Sequence, residues 1–107
     1  MAKRIISFDT TEVVAMVAIK KDGEVRKPKP RIMSMTYDMF SKISFVKCTE
    51  RKLFKTVPSE KIEIRLKSFH TPIEFTKMKN EEFYEEYKEG FRVFAQKNRI
   101  ALVDETQ

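Results

Sequence analysis

The hydrophobic periodicity of this chain changes once, at Asn80. Before that residue, apolar side chains mostly alternate with polar ones, as they do in β-strands, whereas after it they recur every three or four residues. The first pattern buries one face of a sheet and the second buries one face of a helix. The chain therefore predicts an α+β fold: a mainly antiparallel sheet of about five to seven strands, barrel-like if it curls, packed by one C-terminal amphipathic helix.

The clearest strand contains Ile62, Ile64 and Leu66, which alternate with charged side chains. Other runs rich in β-branched and aromatic residues predict further strands. These runs are Lys3 to Phe8, Glu12 to Ile19, Ile43 to Cys48, Leu53 to Val57, Ile73 to Lys77 and Ile100 to Val103.

Turn signals divide these strands. Asp22-Gly23 predicts a hairpin that folds residues 13–20 onto residues 24–27. The polar segment Thr49 to Lys52 predicts another turn, and Pro58-Ser59 predicts a strand end because proline lacks a backbone donor. Residues 33–43 fit both strand and helix periodicity, and we favour a strand there.

The helix is predicted from Asn80 to Lys97, with Asn80 as its cap. Its apolar face is formed by Phe83, Tyr84, Tyr87, Phe91, Phe94 and Ala95. Gly90 within it marks either a close packing contact or a weak point. The five Glu side chains between residues 81 and 89 repel one another at i,i+4 spacing. Either Lys88 and Arg92 relieve this repulsion, or the acidic face docks on a basic surface of its own sheet or of another subunit.

Length and cysteine content limit the classes of protein. The 107 residues predict a single domain, 1–107. Cys48 is the only cysteine, so no intramolecular disulfide can form, and a reducing, cytoplasmic setting is expected. The longest apolar run has seven residues, from Val13 to Ile19, and we expect no membrane partner. His70 is the only histidine, and no catalytic, metal-binding or cofactor-binding motif surrounds it, which favours a protein that is not an enzyme.

Positive charge is concentrated before the helix. Residues 1–79 carry 18 Lys or Arg and nine Asp or Glu, whereas residues 80–107 carry four and seven. Such a basic region favours a polyphosphate partner, because each phosphate that it neutralises releases condensed counterions. The sequence therefore predicts binding to nucleic acid, either DNA or RNA.

Aromatic residues lie among these cations, which is typical of proteins that bind single strands through stacking and charge. The predicted phosphate contacts are Arg26, Lys27, Lys29, Arg31, Lys47, Arg51, Lys52, Lys55, Arg65 and Lys67. Phe54 or Phe69 is predicted to stack on an unpaired base.

The function predicted from these patterns is that of a small accessory nucleic-acid-binding protein of low sequence specificity, which favours single strands and binds them on a basic sheet face. The alternative is a protein-interaction module, such as a small regulator that binds a larger enzyme through its basic surface or its acidic helix. The methionines at positions 33, 35 and 39 would provide a pairing edge for a homodimer if their segment is an edge strand.

Overall fold

The strands of the computed structural model, which describes residues 3–19 and 26–107, form two sheets. The first contains, in this spatial order, β1 (Ile6–Phe8), β2 (Glu12–Val17) and β3 (Arg31–Thr36), all antiparallel. The second has the order β6-β5-β4-β7 and contains β4 (Phe40–Lys52), β5 (Lys55–Leu66), β6 (Ile73–Thr76) and β7 (Leu102–Asp104). In this sheet β7 is parallel to β4, and the other pairs are antiparallel. The α+β prediction is confirmed, and the two sheets do not close into a barrel.

The strand preference for the methionine segment is confirmed through Thr36, after which Tyr37–Met39 forms a single 3-10 turn that leads into β4. β3 is the partner of β2, in a register that pairs Val17 with Arg31. The predicted Asp22-Gly23 turn and Glu24 lie outside the described residues. Arg26 and Lys27 lie inside them and belong to no strand.

The β4–β5 hairpin is longer than the sequence predicts. Residues 49–52 continue β4 instead of turning, and the turn comes at Leu53-Phe54. Pro58 does not end the strand, because it pairs with Thr49 where β5 has a neighbour on one side only; β6 pairs with residues 61–64. A proline is tolerated in a strand with an open side, since its missing donor then removes no ladder hydrogen bond.

The helix α1 spans Tyr84–Asn98. Asn80 is not its cap: its side-chain Nδ2 donates to the carbonyl of Thr76, and residues 80–83 form turns. The cap position is taken by Phe83, which makes no side-chain capping hydrogen bond. At the other end the chain leaves the helix through Arg99, whose φ of 54° is left-handed.

One hydrophobic core joins both sheets and the helix. The helix contributes its predicted apolar face, and the Phe91 ring packs edge-on against Phe8 with 4.9 Å between centroids. Gly90 lies beneath the same Phe8 ring, so closely that a Cβ at this position would be 2.4 Å from the nearest ring carbon. Of the two interpretations of Gly90, the structure shows the close packing contact.

The acidic face of the helix is compensated by cations of the same chain. Glu86 pairs with Arg4 at 2.7 Å, Glu89 with Arg92 at 2.6 Å, and Glu85 with Lys77 at 3.8 Å. The hydrogen bond from Arg4 lowers the pKa of Glu86. Of the two relieving cations expected from the sequence, Arg92 acts on a helix glutamate, whereas Lys88 turns inward to Glu60 of β5.

Candidate nucleic-acid interface

The β4–β5 hairpin continues past the core as a two-stranded ribbon. Its last buried pair is Phe45 with Ile62, both 0% exposed. Residues 46–61 contain no buried side chain. We call residues 47–60 the arm. At about 3.3 Å per strand residue, the arm extends about 20 Å from Lys47 to the turn.

Two carboxylates connect the arm to the rest of the described chain. Glu60 accepts a hydrogen bond from Lys88 at 2.9 Å, and Lys88 also donates to the Thr106 hydroxyl at 2.8 Å. Glu50 accepts hydrogen bonds from Ser59 and from the backbone N–H of Met78. Burial tends to raise the pKa of Glu50, but these hydrogen bonds outweigh it and the pKa is lowered. Both acids of the arm are therefore engaged by the chain itself.

The turn of the arm exposes two large apolar side chains. Leu53 is 85% exposed and Phe54 is 96% exposed. Leu53 has a φ of 57°, in the left-handed region that two-residue hairpins require at their first turn position and that glycine or asparagine usually occupies. A leucine there stores backbone strain and leaves its side chain in water, so folding does not account for it.

Four exposed cations lie along the arm, between its base and this turn. Lys47 and Arg51 lie on the same face of β4. Lys52 and Lys55 lie opposite each other on the other face. None of the four forms an ion pair with any residue in the described ranges. Like charges directly across a strand pair are destabilising, so Lys52 and Lys55 favour an anion between them.

The other predicted cations lie elsewhere. Arg65 pairs with Lys42 on the same hairpin face as Lys52, but ten residues further down β4, which corresponds to about 33 Å. Lys67 directly follows β5 beside Arg65. The remaining predicted cations precede or begin β3, and all of them are exposed: Arg26, Lys27, Lys29 and Arg31. The register thus distributes the hairpin cations over two faces and two ends instead of one face.

The two predicted stacking rings have different environments. Phe69 is partly buried and packs against the core, whereas Phe54 stands free at the turn. Phe54 is therefore the ring that is available to a ligand.

Two residues of the hairpin, Leu53 and Lys42, are not among the site residues that the sequence predicts. The sequence predicts a strand that begins at Leu53, because no residue in the Leu53-Phe54 pair is a usual turn former. Lys42 becomes notable only through the register that places it opposite Arg65.

Other chemistry is weakly represented. Burial, followed by the charge of Glu50, raises the pKa of the Cys48 thiol, which reduces its thiolate fraction at neutral pH. No three His, Cys, Asp or Glu side chains within residues 3–19 and 26–107 are grouped to hold a metal ion. None of the helical structure in those residues is long and apolar enough to cross a bilayer.

No protein-family model matches this chain, and neither a curated protein nor a solved structure matches it. The observations that indicate function therefore lie in the arm, in its exposed turn, its unpaired cations and its two carboxylates, which the chain itself binds.

Proposed function

We propose that this protein binds nucleic acid with low sequence specificity through the arm, and that it favours single strands. The observation that carries the proposal is the exposed Leu53-Phe54 turn at the end of an arm whose four cations pair with no carboxylate of the described chain. A polyanion relieves the repulsion between Lys52 and Lys55, and the Phe54 ring offers a stacking surface to an unpaired base.

The distribution of charge along the arm supports a linear ligand. Lys47 lies about 20 Å behind the turn. Arg51 lies between Lys47 and the turn, on the same face as Lys47. Cations spaced along a ribbon meet successive phosphates of a strand, whereas a compact anion would contact only one or two of them. The cations at Lys42, Arg65 and Lys67 form a second group at the base of the hairpin, which a longer strand would reach.

The proposal is tested by fluorescence anisotropy of labelled single-stranded and duplex oligonucleotides over a salt series. For single strands, affinity should fall with a log–log slope of about −0.7 per phosphate contact. Lys52→Gln with Lys55→Gln should weaken binding and reduce that slope by about 1.4.

The matched control is Lys97→Gln with Arg99→Asn, which removes the same charge at the C-terminal end of the helix. Asn tolerates the left-handed conformation of position 99. Both double variants should retain the fold. The proposal fails if the chain binds no oligonucleotide at low salt, or if the arm variant and the control bind equally.

The proposal is one of binding, not catalysis, in a cytoplasmic setting. A raised thiol pKa at Cys48 disfavours a nucleophilic role at neutral pH. A single cysteine also requires no oxidising compartment.

One observation favours a second function, self-association. Within the described residues β3 pairs only with β2, so it forms an edge of its sheet, and Ile32 on it is 73% exposed beside the half-exposed Met16. An edge strand of this kind can pair with its copy in a second chain. Analytical ultracentrifugation should then show a dimer that Ile32→Lys dissociates, and a monomer at every concentration would exclude this candidate.

A further inference from the structure

We propose that the Leu53-Phe54 turn acts as an apolar wedge that enters a base stack, so that the arm prefers sites where stacking is already interrupted, such as a gap or the junction of a duplex with a single strand. This inference rests on the proposed function, since it assigns the substrate class of the same arm.

The first argument is the exposure of the turn. Leu53 and Phe54 are 85% and 96% exposed, at the far end of a ribbon whose other exposed side chains are mostly polar or charged. Large apolar side chains that are exposed in this way contribute favourable free energy only when a ligand covers them. Side chains such as Phe and Leu are those that proteins insert between base steps.

The second argument is the backbone at Leu53. Its φ of 57° would suit glycine or asparagine, yet the position holds a branched apolar residue. Strain of this kind persists where the surrounding structure imposes it, and here the Lys52–Lys55 pair closes the turn. This position thus adds a second exposed apolar side chain to that of Phe54 at the turn.

The third argument separates a base stack from a lipid surface. A flat anionic bilayer that takes up the turn would meet the charges next to it, Lys52 and Lys55. Lys47, about 20 Å behind the turn, would lie beyond the Debye length of about 8 Å at physiological salt. A nucleic-acid strand that passes the wedge can follow the arm and use these cations as well.

Why interrupted sites are preferred follows from the unstacking energy. Opening a base step is unfavourable, least so for a mismatched or unpaired base. A wedge therefore binds more tightly where a gap or junction has already removed part of that stacking.

The test uses the full chain and duplexes that carry 2-aminopurine beside a gap, beside a junction, or within a fully paired sequence. Wild type should bind the gapped and junction duplexes several-fold more tightly than the paired one. It should also raise the 2-aminopurine fluorescence, because unstacking relieves its quenching. Leu53→Ser with Phe54→Ser should bind all three with similar affinity, with an unchanged salt slope and no fluorescence rise.

The two serine substitutions remove side chains that are almost wholly exposed, and circular dichroism should show an unchanged fold. Wild-type binding without preference or fluorescence rise would overturn the wedge and leave the proposed function standing. No binding to any oligonucleotide at low salt would overturn both. Retention on phosphatidylserine vesicles that the serine variant loses, with oligonucleotide binding unaffected, would assign the turn to lipid and also overturn the wedge.

Discussion

Phe45 and Phe54 belong to the same hairpin, but their exposure to solvent is opposite. Phe45 is wholly buried, and its ring has the Lys88 ammonium and the Arg92 guanidinium 5.4 Å from its centroid. Phe54, nine residues later, is 96% exposed at the turn. The inner half of the hairpin is fixed by the helix and by the neighbouring strands β6 and β7, whereas the outer half is a ribbon without a core. The difference separates the part of the sheet that folding requires from the part that remains available to a partner.

Truncating the two rings gives the largest contrast. Phe45→Ala should destabilise the protein by about 3 to 5 kcal/mol, because it opens a cavity in the core and removes the ring beneath two cations. Phe54→Ala should change stability by no more than about 0.5 kcal/mol. Urea unfolding monitored by circular dichroism measures both. Equal losses for the two variants would mean that the arm is covered in solution.

The second prediction concerns the contact of Gly90 with Phe8, in the part of the described chain outside the arm, residues 3–19, 26–46 and 61–107, which we call the body. Gly90→Ala should destabilise by about 1 to 3 kcal/mol, because the new Cβ would collide with the Phe8 ring at 2.4 Å, although alanine is the better helix former. In a Phe8→Ala background the same change should stabilise by about 1 kcal/mol. A double-mutant cycle of unfolding free energies measures this reversal. If Gly90→Ala has the same effect in both backgrounds, the contact with Phe8 is not the reason for the glycine.

The sequence predicted the body better than the arm, and the reason is physical. In the body, burial follows the hydrophobic pattern of the sequence. Ile62, Ile64 and Leu66 alternate with charged residues, Phe91 and Phe94 recur at helical spacing, and all five are buried. The arm has no fully buried side chain, so its conformation is set by cross-strand pairing and not by a hydrophobic pattern. The polar run that predicts a turn at 49–52 therefore forms strand instead.

Two local features of the structure differ from what their residue types indicate. Asn80 has the chemistry of a helix cap, but its side chain is used by the Thr76 carbonyl at the end of β6. The positive φ of Leu53 has no signature in its residue type, since leucine rarely adopts it. The same limit applies to the candidate site. The sequence shows its cations, but it does not show that they lie on two faces or that the turn is exposed.

Low pH should affect the stability of the body and of the arm differently, and this effect should be smaller than those of the substitutions above. Hydrogen bonds from Thr106 lower the pKa of Asp104 against the opposing effect of burial, and Arg92 adds to them. The pKa of Glu50, midway along the arm, is also lowered. A carboxylate with a depressed native pKa contributes stability that is fully present above its unfolded pKa, about 4, and is lost as pH falls through the native value.

Asp104→Asn should therefore flatten the loss of unfolding free energy below about pH 4. Glu50→Gln should instead reduce the hydrogen-exchange protection of the arm amides, with a smaller change in global stability, since Glu50 joins the arm to Met78. The control is Glu81→Gln, which changes an exposed carboxylate in the turn before the helix and should leave both measurements unchanged. An acid limb that Asp104→Asn leaves unchanged would contradict this assignment.

The last predicted change in stability is small and has the opposite sign. Leu53→Gly removes the penalty of a left-handed leucine, about 1 to 2 kcal/mol, and adds the entropy cost of glycine, about 0.5 to 1 kcal/mol. The variant should thus be more stable by about 0.5 kcal/mol and bind single strands less tightly, because half of the apolar turn is gone. Urea unfolding and anisotropy measure the two properties. Leu53→Ala keeps the strain but removes most of the side chain, so it should lose binding without gaining stability. If Leu53→Gly binds as tightly as wild type, the strained leucine has no part in recognition, and the contrast between a body shaped by folding and an arm shaped by its ligand loses its strongest support.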